Sequence, residues 1–137
     1  MKHIFAAALL ATACLMTHRG ALAQSKMQAT IPFDFTVGEN KLPAGTYVMD
    51  YVQPHVIELS SPEKHIRTFA LLVSTDEVRE SPNRMIFNKY GDQYFLSEIH
   101  GGEGQVTRRL GASNLEKRVQ REEASLVGQQ KTLVAMK

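Results

Sequence analysis

Between positions 30 and 100 apolar residues recur at every second position, and that spacing constrains the fold more than any other feature of the chain. Period two sends alternate side chains to opposite faces of an extended segment, so each such run reads as a strand with one buried and one wet face. Ile31, Phe33, Phe35 and Val37 alternate with Thr30, Pro32, Asp34 and Thr36. Pro32 has no N–H for a ladder, which predicts that this strand starts at a sheet edge, able to accept a strand from a partner if the sheet stays open. Gly38, Glu39, Asn40 and Lys41 read as a turn. Pro43 holds Leu42 extended and Gly45 permits a bend, so Pro43-Ala44-Gly45 feeds a new strand with Tyr47, Met49 and Tyr51 on one face. Leu42-Pro43-Ala44-Gly45-Thr46 is not a cell-wall sorting signal, because Thr and Gly are reversed and no apolar tail follows.

Turn chemistry divides the rest. Ser61-Pro62-Glu63-Lys64 suits a type I turn with Pro62 and Glu63 as its loop, which sets Leu59 opposite Ile66 and Glu58 opposite Arg67. Positions 74–83 are polar and contain Pro82, and are expected to form a loop. Tyr90-Gly91-Asp92-Gln93 predicts a tight hairpin with Gly91 at the first position of a type II′ turn. Its register places Phe87 opposite Leu96, Lys89 opposite Tyr94 and Met85 opposite Glu98. Gly101 to Gly104 is a loop, and 105–110 a short edge strand. Ser113-Asn114-Leu115-Glu116 has the Ser-x-x-Glu form of a capping box, predicting a helix near 114–128 that Gly128 ends. A last strand is expected over 132–136.

The N-terminus has a different character. Met1-Lys2-His3 is basic, 4–16 is apolar, and Ala21-Leu22-Ala23 offers the small side chains that signal peptidase accepts. Residues 1–23 read as a signal peptide cut between Ala23 and Gln24, leaving 24–137 as one β-rich domain. The apolar run is shorter than the roughly 20 residues a membrane helix needs, so no stable span is expected after cleavage. The alternative is a lipoprotein anchored through Cys14, although Ala11 stands where a lipobox has Leu. Cleavage would leave 14 of the 16 basic residues against 14 acidic ones. A mature charge near zero argues against nucleic acid as a partner. It would also remove the only Cys, so the core must hold the fold without disulfides.

Ile31-Pro32-Phe33-Asp34-Phe35-Thr36-Val37-Gly38, Leu42-Pro43-Ala44-Gly45-Thr46-Tyr47 and Tyr90-Gly91-Asp92-Gln93-Tyr94-Phe95-Leu96-Ser97-Glu98-Ile99 together resemble a family of small exported bacterial proteins with no assigned activity. The resemblance implies export to the periplasm or exterior and a mainly β domain, and brings no catalytic residue with it.

Little in the chain points to catalysis. Gly111-Ala112-Ser113-Asn114 is followed by Leu115, so it lacks the second Gly of a nucleophile elbow. His55, His65 and His100 have no metal-ligand spacing, and no cofactor motif is present. Asp76, Glu77, Glu80 and Glu98 are the carboxylates that a hydrolase would have to bring together. Candidate ligand contacts are the ring faces of Tyr47, Tyr51 and Tyr94 and the cations Arg108 and Arg109. The expected fold is a small antiparallel barrel or sandwich of seven to eight strands with one C-terminal helix. The expected function is non-catalytic binding of an envelope or extracellular partner. The alternatives are a carrier of small apolar ligands in a barrel cavity, and a hydrolase using loop carboxylates.

Overall fold

The structure, a computed structural model, describes residues 26–78, 82–101, 106–124 and 130–137. The expected signal peptide, its cleavage site and Cys14 lie outside the described residues, as do Glu80, Leu126 and Gly128. Ten strands and one helix are seen: β1 Met27–Ile31, β2 Phe35–Val37, β3 Asn40–Leu42, β4 Gly45–Gln53, β5 Val56–Ser61, β6 Ile66–Val78, β7 Arg84–Tyr90, β8 Gln93–His100, β9 Val106–Leu110, α1 Asn114–Glu123 and β10 Gln130–Ala135. The fold is mainly β with one helix towards the C-terminus, as the alternation and capping box predict.

The main path runs β1-β4-β5-β6-β9-β8-β2-β3, and β7 pairs β8 on one side and β10 on the other. Every pairing is antiparallel except that of β2 with β8, where Thr36 meets Phe95 in parallel. The sheet curls without closing into a continuous ladder. The last strand, β10, joins the sheet through β7, and the residues beyond it reach β1, where Gln28 and Lys137 exchange backbone N–H···O bonds of 2.9 Å each.

The concave side is filled. Phe35, Tyr47, Phe87, Ile31, Met49, Ile57, Leu59, Met85 and Ile99 are all under 2% exposed. Phe35 packs edge-to-face on Tyr47 and Phe87 with centroids 5.1 and 5.5 Å apart, the geometry that ring quadrupoles favour. Tyr47 donates its hydroxyl to the Pro43 carbonyl at 2.7 Å, and Asp34 accepts from the Ala44 N–H at 2.9 Å. Those two bonds pin the Pro43-Ala44 corner, and β4 starts at Gly45 as the sequence predicts. Outside the sheet, Val119 and Leu115 of α1 pack on Tyr90 and Phe95 as a second, smaller core.

Several expectations are corrected. Positions 30–37 are two strands, because a bend at Pro32 and Phe33 breaks the ladder. All three residues of β2 are buried, so it does not alternate, and it lies between β3 and β8 and is no edge. The hairpin after β5 turns through a 3-10 segment, Pro62–Lys64, with His65 left-handed at φ 53°. Its register sets Ser61 opposite Ile66 and Ser60 opposite Arg67, two residues from the expected offset. The even slip leaves every side chain on its expected face. Glu58 and Arg67 still meet on the diagonal, at 3.3 Å. In the Gly91 hairpin Phe87 faces Leu96 and Lys89 faces Tyr94 as expected, but a bulge at Ser97 places Met85 opposite Ile99 rather than Glu98. Ser97 donates its hydroxyl to the Ile86 carbonyl at 3.0 Å, which satisfies a group that the bulge disturbs. Much of the expected 74–83 loop is strand, since β6 continues to Val78 on β9. Polarity misleads there because the pairing is made by backbone. For the same reason β9 is internal, between β6 and β8, and not an edge.

Candidate functional site

Two features stand out on the outer surface of the described residues. The first is a cleft of about 560 Å³ between β3 and the start of β6, lined by Glu39, Asn40, Lys41, Leu42, Arg67, Thr68 and Phe69. It is shallow and lined mainly by polar surface. Asn40 Nδ2 donates to Thr68 Oγ1 across it at 3.1 Å. The second is an apolar stripe beside it. Phe69, Leu71 and Val73 alternate along the convex face of β6 and are 54%, 69% and 66% exposed. Three large apolar side chains in one row on one strand are a contiguous feature rather than scattered surface residues.

A polar cluster occupies the far end of β8. Glu98 accepts from His100 Nε2 at 3.2 Å, and His100 Nδ1 lies 3.4 Å from the Thr107 hydroxyl. A carboxylate only accepts, so it is Nε2 that donates to Glu98. Arg109 Nε stands 3.7 Å from the other Glu98 oxygen. Carboxylate, imidazole and hydroxyl in a row have the composition of a nucleophilic triad. Thr107 is 5% exposed, however, so its hydroxyl is not presented to a substrate, and His100 is 8% exposed. The arrangement orients strands β8 and β9 against each other.

The five candidate contacts are not brought together. Tyr47 is a core ring at 0% exposure, with its hydroxyl pushed above the usual phenol range by burial and then by Asp34. Tyr51 and Arg108 do meet. The Arg108 guanidinium sits 4.3 Å from the Tyr51 ring centroid, and Nη1 donates to the Tyr51 hydroxyl at 3.2 Å and to the Gly101 carbonyl at 3.0 Å. Burial pushes the Tyr51 phenol up, and the guanidinium opposes the shift. Arg108 pairs with Ile99 and Arg109 with Glu98, so these sequence neighbours lie on opposite faces of β9. Tyr94 has one ring face stacked on Phe33, with centroids 3.9 Å apart, and Lys89 Nζ 5.5 Å from its centroid. His55 and His65 are exposed on the β4–β5 and β5–β6 connections. Among the described residues no three His, Cys, Asp or Glu side chains are grouped to hold a metal ion, and no helix is long and apolar enough to cross a membrane. The side chains of Asp76, Glu77 and Glu80 lie outside the description.

The cleft and stripe are the parts that sequence reasoning missed. Phe69, Leu71 and Val73 look like core residues in a strand that is apolar on both sides of the alternation. The even positions are the ones buried, with Thr68, Ala70 and Leu72 at 5%, 8% and 6% exposure. A continuous apolar run from Phe69 to Val73, broken by no polar residue, was the available signal. No protein family model matches the chain, and neither a curated protein nor a solved structure matches it.

Proposed function

We propose that this protein is a non-catalytic binding module, exported to the periplasm or exterior, that engages an envelope or extracellular partner through the convex side of β6. The observation that carries the reading is the exposed row of Phe69, Leu71 and Val73 beside a polar cleft, set on a sheet whose concave side is filled by Phe35, Tyr47 and Phe87. Exposed apolar rows next to polar rims are where proteins meet partners. A filled interior gives no support to the apolar-ligand carrier. The hydrolase reading needs a second carboxylate at working distance from Glu98, whose two oxygens face His100 and Arg109. Export rests on the N-terminal pattern and on the resemblance to small exported bacterial proteins, and N-terminal sequencing of secreted protein tests it. Gln24 at the start supports it, and a lipid on Cys14 redirects the protein to a membrane. For the binding role, Leu71→Asp in a folded protein should abolish retention on envelope preparations. Turnover of a glycan or ester that disappears with Glu98→Gln would contradict the reading.

A further inference from the structure

β9 leaves a lane of the sheet half empty. It pairs with β6 from Val106 opposite Val78 to Leu110 opposite Leu72, and then the chain departs through Gly111 towards α1. Residues 66–71 of β6 continue beyond that point with β5 on one side only. On the other side stands β3, which ends the strand path and has β2 as its single neighbour. The 560 Å³ cleft is the gap between these two edges.

The direction of the backbone groups follows from the ladder. Antiparallel pairs alternate between bonded and non-bonded, so successive residues point their N–H and C=O to opposite edges. Leu72 donates its N–H to the His55 carbonyl, on the β5 side, at 2.9 Å. With no register shift over 66–71, Thr68 and Ala70 also bond towards β5. Arg67 and Phe69, which line the cleft, therefore turn their backbone groups into it, and Leu71 turns its N–H to the same edge where β9 ends. Across it, Val37 and Asn40 close the two-residue β2–β3 hairpin as a bonded pair, so Lys41 turns its backbone groups outward, towards β6. Among the described residues β3 and β6 form no ladder with each other.

Lys41 is the cation at this seam that no ion pair holds among the described residues. Glu39 is drawn away to α1, where its Oε1 accepts from the Asn114 and Leu115 N–H groups at 2.9 and 3.4 Å. Lys41 and Arg67 remain exposed on the two walls, and Arg67 has Glu58 as its ion-pair partner on the outer face. Phe69 and Leu71 lie exposed on the same edge.

We propose that the seam between β3 and β6 accepts an extended acidic peptide segment of a partner protein, which adds to residues 66–71 as a strand in the lane that β9 vacates. The peptide's backbone bonds to Arg67, Phe69 and the Leu71 N–H, its outward side chains beside Phe69 and Leu71 are apolar, and its outward side chains beside Lys41 and Arg67 are carboxylates. The Asn40–Thr68 side-chain bond crosses this seam, and an incoming strand displaces it. Strand addition of this kind takes affinity from main-chain bonds and selectivity from side chains at alternate positions. The proposal rests on the binding-module reading and narrows it to a seam and a class of partner.

The probe is a short acetylated and amidated peptide in which every second residue is Thr and the residues between are Glu and Val, so that both lie on one face of the strand, with its Lys and Val counterpart as control, added to the purified protein. Amide hydrogen exchange read by NMR should show new protection at Arg67, Phe69 and Leu71, with Thr68 and Ala70 unchanged. The Lys–Val peptide should bind about tenfold more weakly, since close charge pairs set discrimination of this order. Phe69→Pro removes one edge N–H and should abolish binding. Because that variant can also disturb the fold, Lys41→Glu with Arg67→Glu provides the second arm, and it should reverse the preference between the two peptides, which a loss of stability would not do. Three results overturn the proposal. Binding of neither peptide is one. Protection confined to the convex faces of β4 and β5 is another, and it leaves the broader binding role standing. Protection of the same amides by raising the protein's own concentration is the third, because the occupant is then a second copy.

Discussion

Glu116 shows how one side chain can serve two purposes. Its backbone N–H is taken by the Ser113 hydroxyl at 3.0 Å, as the capping box predicts. Its carboxylate, at 4% exposure, then turns inward and accepts from Asn88 Nδ2 at 2.9 Å and from the Tyr90 hydroxyl at 3.2 Å. Removing it strands the buried Tyr90 hydroxyl and the part-buried Asn88 amide. Glu116→Ala should cost about 2 kcal/mol in urea unfolding, since bonds to a charged acceptor are each worth roughly 1.5–3 kcal/mol. Burial first, and then Glu116, push the Tyr90 phenol up to about 12. The folded state thus favours neutral Tyr90. Its contribution to stability is whole below the ordinary phenol pKa of about 10 and is lost as pH rises through about 12. Titration of tyrosinate absorbance should show one late-ionising Tyr whose pKa falls in Glu116→Gln. Gly91 is a second residue whose type the backbone demands. It sits at φ +57°, and a Cβ there would lie 3.2 Å from Glu123 Oε1. Gly91→Val should destabilise by more than about 1 kcal/mol, and an unchanged urea midpoint would refute the turn assignment.

Secondary elements were legible wherever local chemistry decides them. The Gly91-Asp92 turn, the Ser113 cap and the start of β4 at Gly45 are set by residues within a few positions of one another. Ser113→Ala should therefore cost about 1 kcal/mol and leave the sheet's amide exchange unchanged, a local effect of losing one cap. Elements decided by distant partners were not legible. Polar residues 74–78 are strand because β9 offers its backbone, and β9 is internal because β6 extends to meet it. Neither fact is written in its own segment. The β5–β6 hairpin lies between these cases. Its faces were right and its offset was not, because a 3-10 turn ending in left-handed His65 lengthens the loop by an even number of residues. His65→Gly should relieve a backbone penalty of about 1 kcal/mol and raise the melting temperature without moving Ser60 from opposite Arg67.

At the scale of the whole molecule the alternation was enough to predict a mainly antiparallel β domain with one helix towards the C-terminus. It was not enough to predict where the wall is thin. The β3–β6 seam arises because the chain leaves β9 at Gly111 to begin α1, and because Pro32 divides what looked like one strand into β1 and β2. Two local signals thus set a global gap that neither reveals alone. The same geometry explains the scatter of the candidate contacts, since Arg108 and Arg109 are split between the two faces of β9 and Tyr47 is needed in the core. The central claim is that β6 carries a free edge inside an otherwise joined sheet. Native-state hydrogen exchange of the unliganded protein tests it most directly. Slow exchange at Thr68, Ala70 and Leu72, alternating with fast exchange at Arg67, Phe69 and Leu71, is the predicted result. Uniformly slow exchange across residues 67–72 would mean that the edge is already paired and would contradict the account.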